Sequence, residues 1–268
     1  MTATSPGRPG PVGREREATA PEATVLPGTA LADLTWPELE ADARAGRTVL
    51  LVPIGSCEQH GAHLPLDTDA RIATGLAQRA AAQRPRVAMV APPLAYGASG
   101  EHAGFPGTLS IGQAALELVL VELGRSADDF GAVVFIQGHG GNARPAERAV
   151  ATLAAEGRRV RSWWPVIPGG DAHAGRTETS LLLHLDPAAV RPEGWTAGAT
   201  EPLAALLPRL EADGVRSVSP SGVLGDPTGA SAGEGARWAT GLVASLTALI
   251  DIVVAEMVGS GDDDQPHG

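Results

Sequence analysis

The sequence predicts an α/β fold, a three-layer α/β/α single domain with a mostly parallel central sheet. Three observations carry that expectation. Short β-branched or aliphatic runs at residues 48–54, 87–91, 133–136 and 160–167 are each bounded by turn residues, as buried parallel strands are. Helical periods separate these runs, and a strand, a helix and a second parallel strand make a right-handed crossover unit. Each run also opens at its carboxyl end into a polar, glycine-flanked loop, which is where open α/β sheets bind their ligands.

Taken in order, Thr35-Trp36-Pro37-Glu38 fits a capping box that opens a short helix to about residue 45. The first strand follows and runs into Gly55-Ser56-Cys57-Glu58-Gln59-His60-Gly61, with Asp69 at the head of a helix whose Ile72, Leu76 and Ala80 share one side. After the second strand comes a long loop, residues 92–110, which contains Tyr96, His102 and Phe105 and is the candidate substrate wall. A helix over 113–127 leads to the third strand. Gly138-His139-Gly140-Gly141-Asn142 then turns into a helix that ends near Gly157. The fourth strand carries Trp163 and Trp164, one expected in the core and the other on a pocket wall. Beyond it lies a polar loop, 169–178, and a helix that stops at Asp186-Pro187. Residues 203–210 read as one helix or as two around Pro208, and 214–227 as loop with room for one short strand. A long helix over about 233–257 packs on the sheet.

Composition limits what this domain does. The 268 residues favour one domain, residues 25–258, between a Pro/Gly-rich tail at 1–24 and a Gly/Asp tail at 259–268, both expected to be disordered. A net charge of −11 and no Lys/Arg cluster interleaved with aromatics exclude nucleic acid as a partner. The single cysteine, Cys57, excludes an intramolecular disulfide framework. With no apolar run of signal-peptide length at the N-terminus, cytoplasmic residence is expected. The apolar stretch 242–258 is interrupted by Thr247, Asp251 and Glu256, which argues for a packed helix and against a membrane span.

The chemistry gathers at the strand ends. Glu58 and His60 are two apart and leave the same face of an extended backbone, and Asp69 returns a second carboxylate. These suit a hard or borderline divalent ion such as Zn, Mn or Fe(II). With His139 and Glu178 the set reaches three carboxylates and two imidazoles, enough for two ions if one carboxylate bridges, an arrangement suited to activating water against an amide. Each element also has a plainer reading. Glu58 and His60 alone fit a solvated loop pair. Residues 138–142 alone fit a tight turn with His139 as a cap, and no Lys-Ser/Thr follows to make a Walker loop. His63 fits a supporting role in its loop, His102 a contact to substrate or to its own loop, His184 a helix surface, and Cys57 packing.

Together, Pro53-Ile54-Gly55-Ser56-Cys57-Glu58-Gln59-His60-Gly61 with Asp69, then Gly138-His139-Gly140-Gly141-Asn142, then His173 with Glu178-Thr179-Ser180, resemble the creatininase (creatinine amidohydrolase) family over about residues 30–258. Stretches 63–74, 97–111, 169–185 and 223–227 look most similar to the family's mycofactocin-system branch. That branch is a metal-dependent peptidase that trims a ribosomally made precursor peptide after its C-terminal Val-Tyr has been modified, releasing a modified dipeptide. The resemblance implies two divalent ions per subunit (Fe2+, Zn2+ or Mn2+), ligands at Glu58, His60, bridging Asp69 and His139, a proton-handling His173, and a homo-oligomer. Creatininase has an acidic ligand two residues beyond the histidine matching His139, where this chain has Gly141, so the vacant place is assigned to Glu178. It also has an acid just before the histidine matching His173, here Ala172, and both departures count against creatinine.

The expected function is therefore hydrolysis of an amide bond near the C-terminus of the precursor peptide. His173 is the general acid/base, with Glu178 beside it in the catalytic set. Substrate contacts are expected from His102, Gly140, Gly141, Asn142 and Trp164, with Arg71 and Arg176 on the terminal carboxylate. Two alternatives remain open at this point: a small-molecule amidohydrolase of the creatininase or formamide-deformylase type, and a non-enzymatic metal-containing binding protein.

Overall fold

Four strands form where the sequence has its apolar runs: β1 (Val49–Ile54), β2 (Ala88–Val90), β3 (Ala132–Gln137) and β4 (Val160–Trp163). All pair in parallel in the order β2-β1-β3-β4. These belong to a computed structural model that describes residues 30–43, 48–85, 87–191 and 193–259. The tail at 1–24 and residues 260–268 of the tail expected at 259–268 lie outside the described residues, while Gly259 ends the last helix.

Alternation along the two central strands builds the layers. Val49, Leu51, Val134 and Ile136 face one way, against α2 (Thr68–Gln83), α5 (Arg176–Leu185) and α8 (Ala232–Gly259). Leu50, Val52, Ile54, Val133 and Phe135 face the other way, against α3 (Gln113–Ser126) and α4 (Ala143–Ala155). Every residue of β1 and β3 is buried, as expected of strands covered on both faces. The three-layer α/β/α arrangement follows directly from this period of two.

A proline limits the sheet at one place and is accommodated at another. β4 ends at Trp163 and does not reach residue 167, because Pro165 has no N–H to donate to the ladder. Pro53 is tolerated inside β1 because β2 has already ended at Val90 on that side, and its carbonyl still accepts from Leu94 N at 2.9 Å. The apolar length of α8 would by composition suffice to cross a membrane. Its stripe of Ala239, Leu242, Val243, Leu246, Ile250 and Val253 is buried in the same core as α2 and α5, and its Asp251 pairs with Arg84 at 2.6 Å.

The remaining helices lie at the edges. α1 (Trp36–Ala43) starts at the predicted capping box, where Glu38 Oε2 accepts from Thr35 N at 2.7 Å and from Thr35 Oγ1 at 2.6 Å. α6 (Leu203–Asp213) runs unbroken through Pro208. Part of the expected loop at 214–227 is instead a short helix, α7 (Val215–Val218), and Leu224 bridges to His173. Leu206, Leu210, Val215 and Leu224 form a separate small core.

Candidate metal centre

Two glycines let the first turn of α2 sit between the ends of β1 and β3. A Cβ on Gly55 would lie 2.3 Å from Ala70 N, and one on Gly138 would lie 2.4 Å from Asp69 O. Asp69 is thereby held between Glu58 and His60 on one side and His139 on the other. Glu58, His60, Asp69, His102, His139 and His173 are all buried.

The ring contacts state which nitrogens face inward. His60 Nδ1 donates to the Glu58 carbonyl at 3.1 Å, so Nε2 is the atom directed at Asp69 Oδ1 (3.0 Å) and Glu178 Oε2 (3.7 Å). His139 Nε2 faces Glu101 Oε1 at 3.1 Å and Ala98 O at 3.3 Å, leaving Nδ1 toward Glu58 Oε1 (3.2 Å) and Asp69 Oδ2 (3.5 Å). The two oxygens of Asp69 thus address different imidazoles. Glu178 accepts from Ala174 N at 2.6 Å, and Ala174 holds a left-handed backbone at φ 51° to deliver that N–H.

Both oxygens of Glu58, and Oδ2 of Asp69, are buried without a hydrogen-bond partner. Orphaned carboxylate oxygens cost a fold about 1–3 kcal/mol or more each unless something else takes them up. Among the described residues, three sets place ligand atoms within 4.8 Å of one another: Glu58, His60 and Asp69; His60, His173 and Glu178; and Glu58, His102 and His173. Nitrogen and carboxylate donors without sulfur fit a divalent ion.

Charge within the cluster is divided. Burial alone lifts the Glu58 carboxyl, but His139, His102 and His173 outweigh it and hold it well below the usual range. Burial opposes charge on His60, yet Asp69 raises it to about 10. His139 is raised well above its ordinary value by Glu58 and Glu101 despite burial. Asp69 itself is raised by burial, with His60 opposing. Burial, with His60 opposing, raises Glu178 to about 7. Burial and the neighbouring His60 and His102 push His173 well below its usual value, and burial also lowers His102. Both shifts favour a proton on the inward nitrogens of His60 and His139, the atoms for which a divalent ion would compete.

The cluster opens into a cavity of about 1030 Å³. His102, His139, Gly140, Gly141 and His173 line it, facing Leu203, Leu207 and Leu210 of α6. Other expected contacts fall elsewhere. Asn142 is fully buried, its Oδ1 accepting from Ala98 N (2.9 Å) and its Nδ2 donating to Gly55 O (3.0 Å), so it ties loops together and lies outside the cavity lining. Arg71 is turned to Asp67 (2.7 Å) and Asp186 (2.6 Å), and Arg176 to Glu234 (2.7 Å), so neither lines the cavity. Among the described residues Arg144 is the arginine that does, its Nη2 3.5 Å from Glu211 Oε1 on the same wall. Trp163 is core, while Trp164 lies past the end of β4, partly buried and outside the lining. His63 supports from below: it contacts Thr179 Oγ1 at 2.9 Å, and burial lowers it to about 4. The Cys57 thiol, raised by burial, rests near Gly107 O at 3.5 Å.

Two residues of the site were not singled out from the sequence. Glu101 orients His139, and Gln59 reaches His102 Nδ1 (2.9 Å) and His173 Nε2 (3.0 Å). The available signal was generic: a metal-ligating imidazole needs an acceptor on its outer nitrogen. Glu101 also accounts for Gly141. A Cβ there would lie 2.6 Å from Glu101 Oε1 and 2.5 Å from His139 Nε2, so the space an acidic side chain at 141 would need is filled.

Residues 32–250 match the creatininase family, described as creatinine amidohydrolase. A mycofactocin precursor peptide peptidase of Mycolicibacterium smegmatis is 56% identical over 195 residues, 70% of this chain and 78% of that protein. A crystal structure of a creatinine amidohydrolase superposes with a TM-score of 0.69 at 27% identity, covering 85% of this chain and 97% of that one. A manganese form of creatininase gives a TM-score of 0.68 at 26% identity, covering 85% of this chain and 98% of that one.

Proposed function

The chain belongs to the creatininase family, hydrolases acting on C–N bonds, and from that premise we propose that it is a metal-dependent peptidase. Its substrate is the mycofactocin precursor peptide, cut near the C-terminus to release the modified Val-Tyr dipeptide. The cavity carries this reading. A volume of about 1030 Å³ with one wall of α6 leucines is far more than a small cyclic amide fills, and it suits a peptide end with an aromatic side chain. The relative at 56% identity, named for cleavage of that precursor, supports it.

Two divalent ions are proposed, one held by Glu58, Asp69 and His139, the other by His60, Asp69 and Glu178, with zinc, manganese and iron(II) all suited to these donors. When bound, such ions lower the pKa of water and polarise a carbonyl. His173, on the cavity wall, takes the proton from water and returns it to the leaving amine. The backbone N–H groups of Gly140 and Gly141, at the entry to α4, hold the negative oxygen of the tetrahedral carbon, and Arg144 pairs with the substrate's terminal carboxylate. A cytoplasmic homo-oligomer completes the proposal, supported by the single free cysteine and by exposed apolar side chains at Trp36, Leu118 and Val166.

Mass spectrometry of three incubations tests the substrate: the precursor peptide, its C-terminally amidated form, and creatinine. The reading predicts a short aromatic product from the free acid and slower cleavage of the amide. Equal cleavage of both would remove carboxylate recognition, and turnover of creatinine alone would remove the peptidase.

A further inference from the structure

Gln59 stands between Glu58 and His60 in the chain, and its buried side chain leaves the other face of the backbone, into the gap between His102 and His173. The orientation of its amide is fixed twice. Oε1 accepts from Gly61 N at 3.0 Å, and Nε2 donates to Gly222 O at 3.0 Å. One Nε2 hydrogen remains, with two nitrogens in reach: His102 Nδ1 at 2.9 Å and His173 Nε2 at 3.0 Å.

The backbone decides between them. His173 Nε2 lies 2.7 Å from the carbonyl oxygen of Gln59, an atom that only accepts, so this nitrogen carries a hydrogen and has no lone pair for the amide. The remaining amide hydrogen therefore goes to His102 Nδ1. A neutral ring that accepts at Nδ1 bears its hydrogen on Nε2, here the nitrogen 3.2 Å from Glu58 Oε1. His173, with its hydrogen on Nε2, turns a bare Nδ1 toward the same oxygen at 3.6 Å.

We infer that Gln59 is a positioning residue that sets the two rings in opposite senses, His102 as an N–H donor facing Glu58 and His173 as a lone-pair acceptor at Nδ1. His102 is then closed to metal even though its ring lies among the potential ligand atoms. Nδ1 is the atom through which His173 moves a proton. Gly222 belongs to the device: at φ 82° it passes so close that a Cβ would fall 1.8 Å from Gln59 Oε1. The catalytic consequence rests on the peptidase reading, but the hydrogen positions do not.

Long-range 1H–15N correlation spectra of the imidazoles, recorded on the full chain both zinc-loaded and metal-free, read those positions. His102→Gln and His173→Gln variants assign the peaks. The expected spectrum has Nε2–H on both rings in both states. In Gln59→Glu, which keeps the shape but has no donor, His102 shifts to Nδ1–H while His173 keeps Nε2–H, and kcat falls by roughly 10–100-fold, the usual effect of losing an outer partner. A native His102 bearing Nδ1–H overturns the inference, as does an unchanged His102 tautomer in both Gln59→Glu and Gln59→Met. If neither variant folds, the native spectrum alone decides. Absence of peptide turnover with the expected spectrum would instead count against the proposed function.

Discussion

Phe135 and Glu58 are both fully shielded from solvent, a few residues past or along adjacent strands of one sheet, and their surroundings are opposite. Phe135 belongs to a cluster with Leu50, Val52, Leu116, Leu120 and Leu153, an apolar layer with nothing to satisfy. Around Glu58 are three imidazoles and a second carboxylate, and neither of its oxygens accepts a well-formed hydrogen bond. The contrast teaches that the strands divide the work along their length. Their middles supply burial and stability, while their carboxyl ends hold a polar cluster that burial alone penalises and whose donors suit a divalent ion.

Asp69→Ala gives the largest effect and the sharpest break with Phe135→Ala. It removes the carboxylate shared by His60 and His139, so metal binding and peptide cleavage are both expected to vanish. The metal-free variant loses the His60–Asp69 pair, but His60 can shed its proton once the carboxylate has gone, so its stability should fall by less than that of Phe135→Ala. Phe135→Ala should do the reverse, losing about 3–5 kcal/mol of stability in denaturant titration while its folded fraction keeps full metal content. Equal destabilisation by both would erase the distinction between the two regions.

Chelation is the next test. Binding to the folded state alone stabilises by about 4 kcal/mol at a metal concentration of 1,000 times the dissociation constant, so stripped protein should melt measurably lower and recover on reloading. An unchanged melting curve would mean that the cluster holds no ion. A smaller change belongs to Glu101→Gln, which leaves the ligands in place and loosens only His139. Metal affinity should fall by roughly 10–100-fold, as read by competition with a chromogenic chelator.

The finest prediction concerns protons. In the metal-free fold His60 is raised to about 10 by Asp69 against the cost of burial, so at neutral pH it binds a proton that metal must expel. A raised folded value means that the His60–Asp69 contribution to metal-free stability is complete below the unfolded value of about 6.5 and disappears as pH climbs through about 10. Metal affinity should accordingly rise with pH across that window. Calorimetric titrations in buffers of different ionisation enthalpy should report proton release, and its absence at pH 7 would contradict the charge state given to His60.

Much of this was legible in the chain. β1 to β3 were evident as short apolar runs, and Glu58, His60, Asp69 and His139 stood out because ligand-type residues recurred at strand ends, a local pattern. What escaped was non-local or directional. Glu101 meets His139, and Gln59 meets His102, only after separate loops have folded together. Arg71 and Arg176 were near the motif in sequence, but helix geometry and an acidic neighbour turned each away, Arg71 onto Asp67 one turn earlier. Asn142 looked like a substrate contact because of its position in the glycine turn. Its short amide in fact spans two backbone loops. The end of β4 was readable from Pro165.

The central claim is that a metal ion turns this penalised cluster into a peptide hydrolase. The most direct measurement follows the precursor peptide by mass spectrometry with protein as purified, exhaustively chelated, and chelated then reloaded with zinc, manganese or iron(II). Loss of the short C-terminal product on chelation and its return on reloading is the predicted result. Undiminished cleavage by the chelated protein would contradict the account.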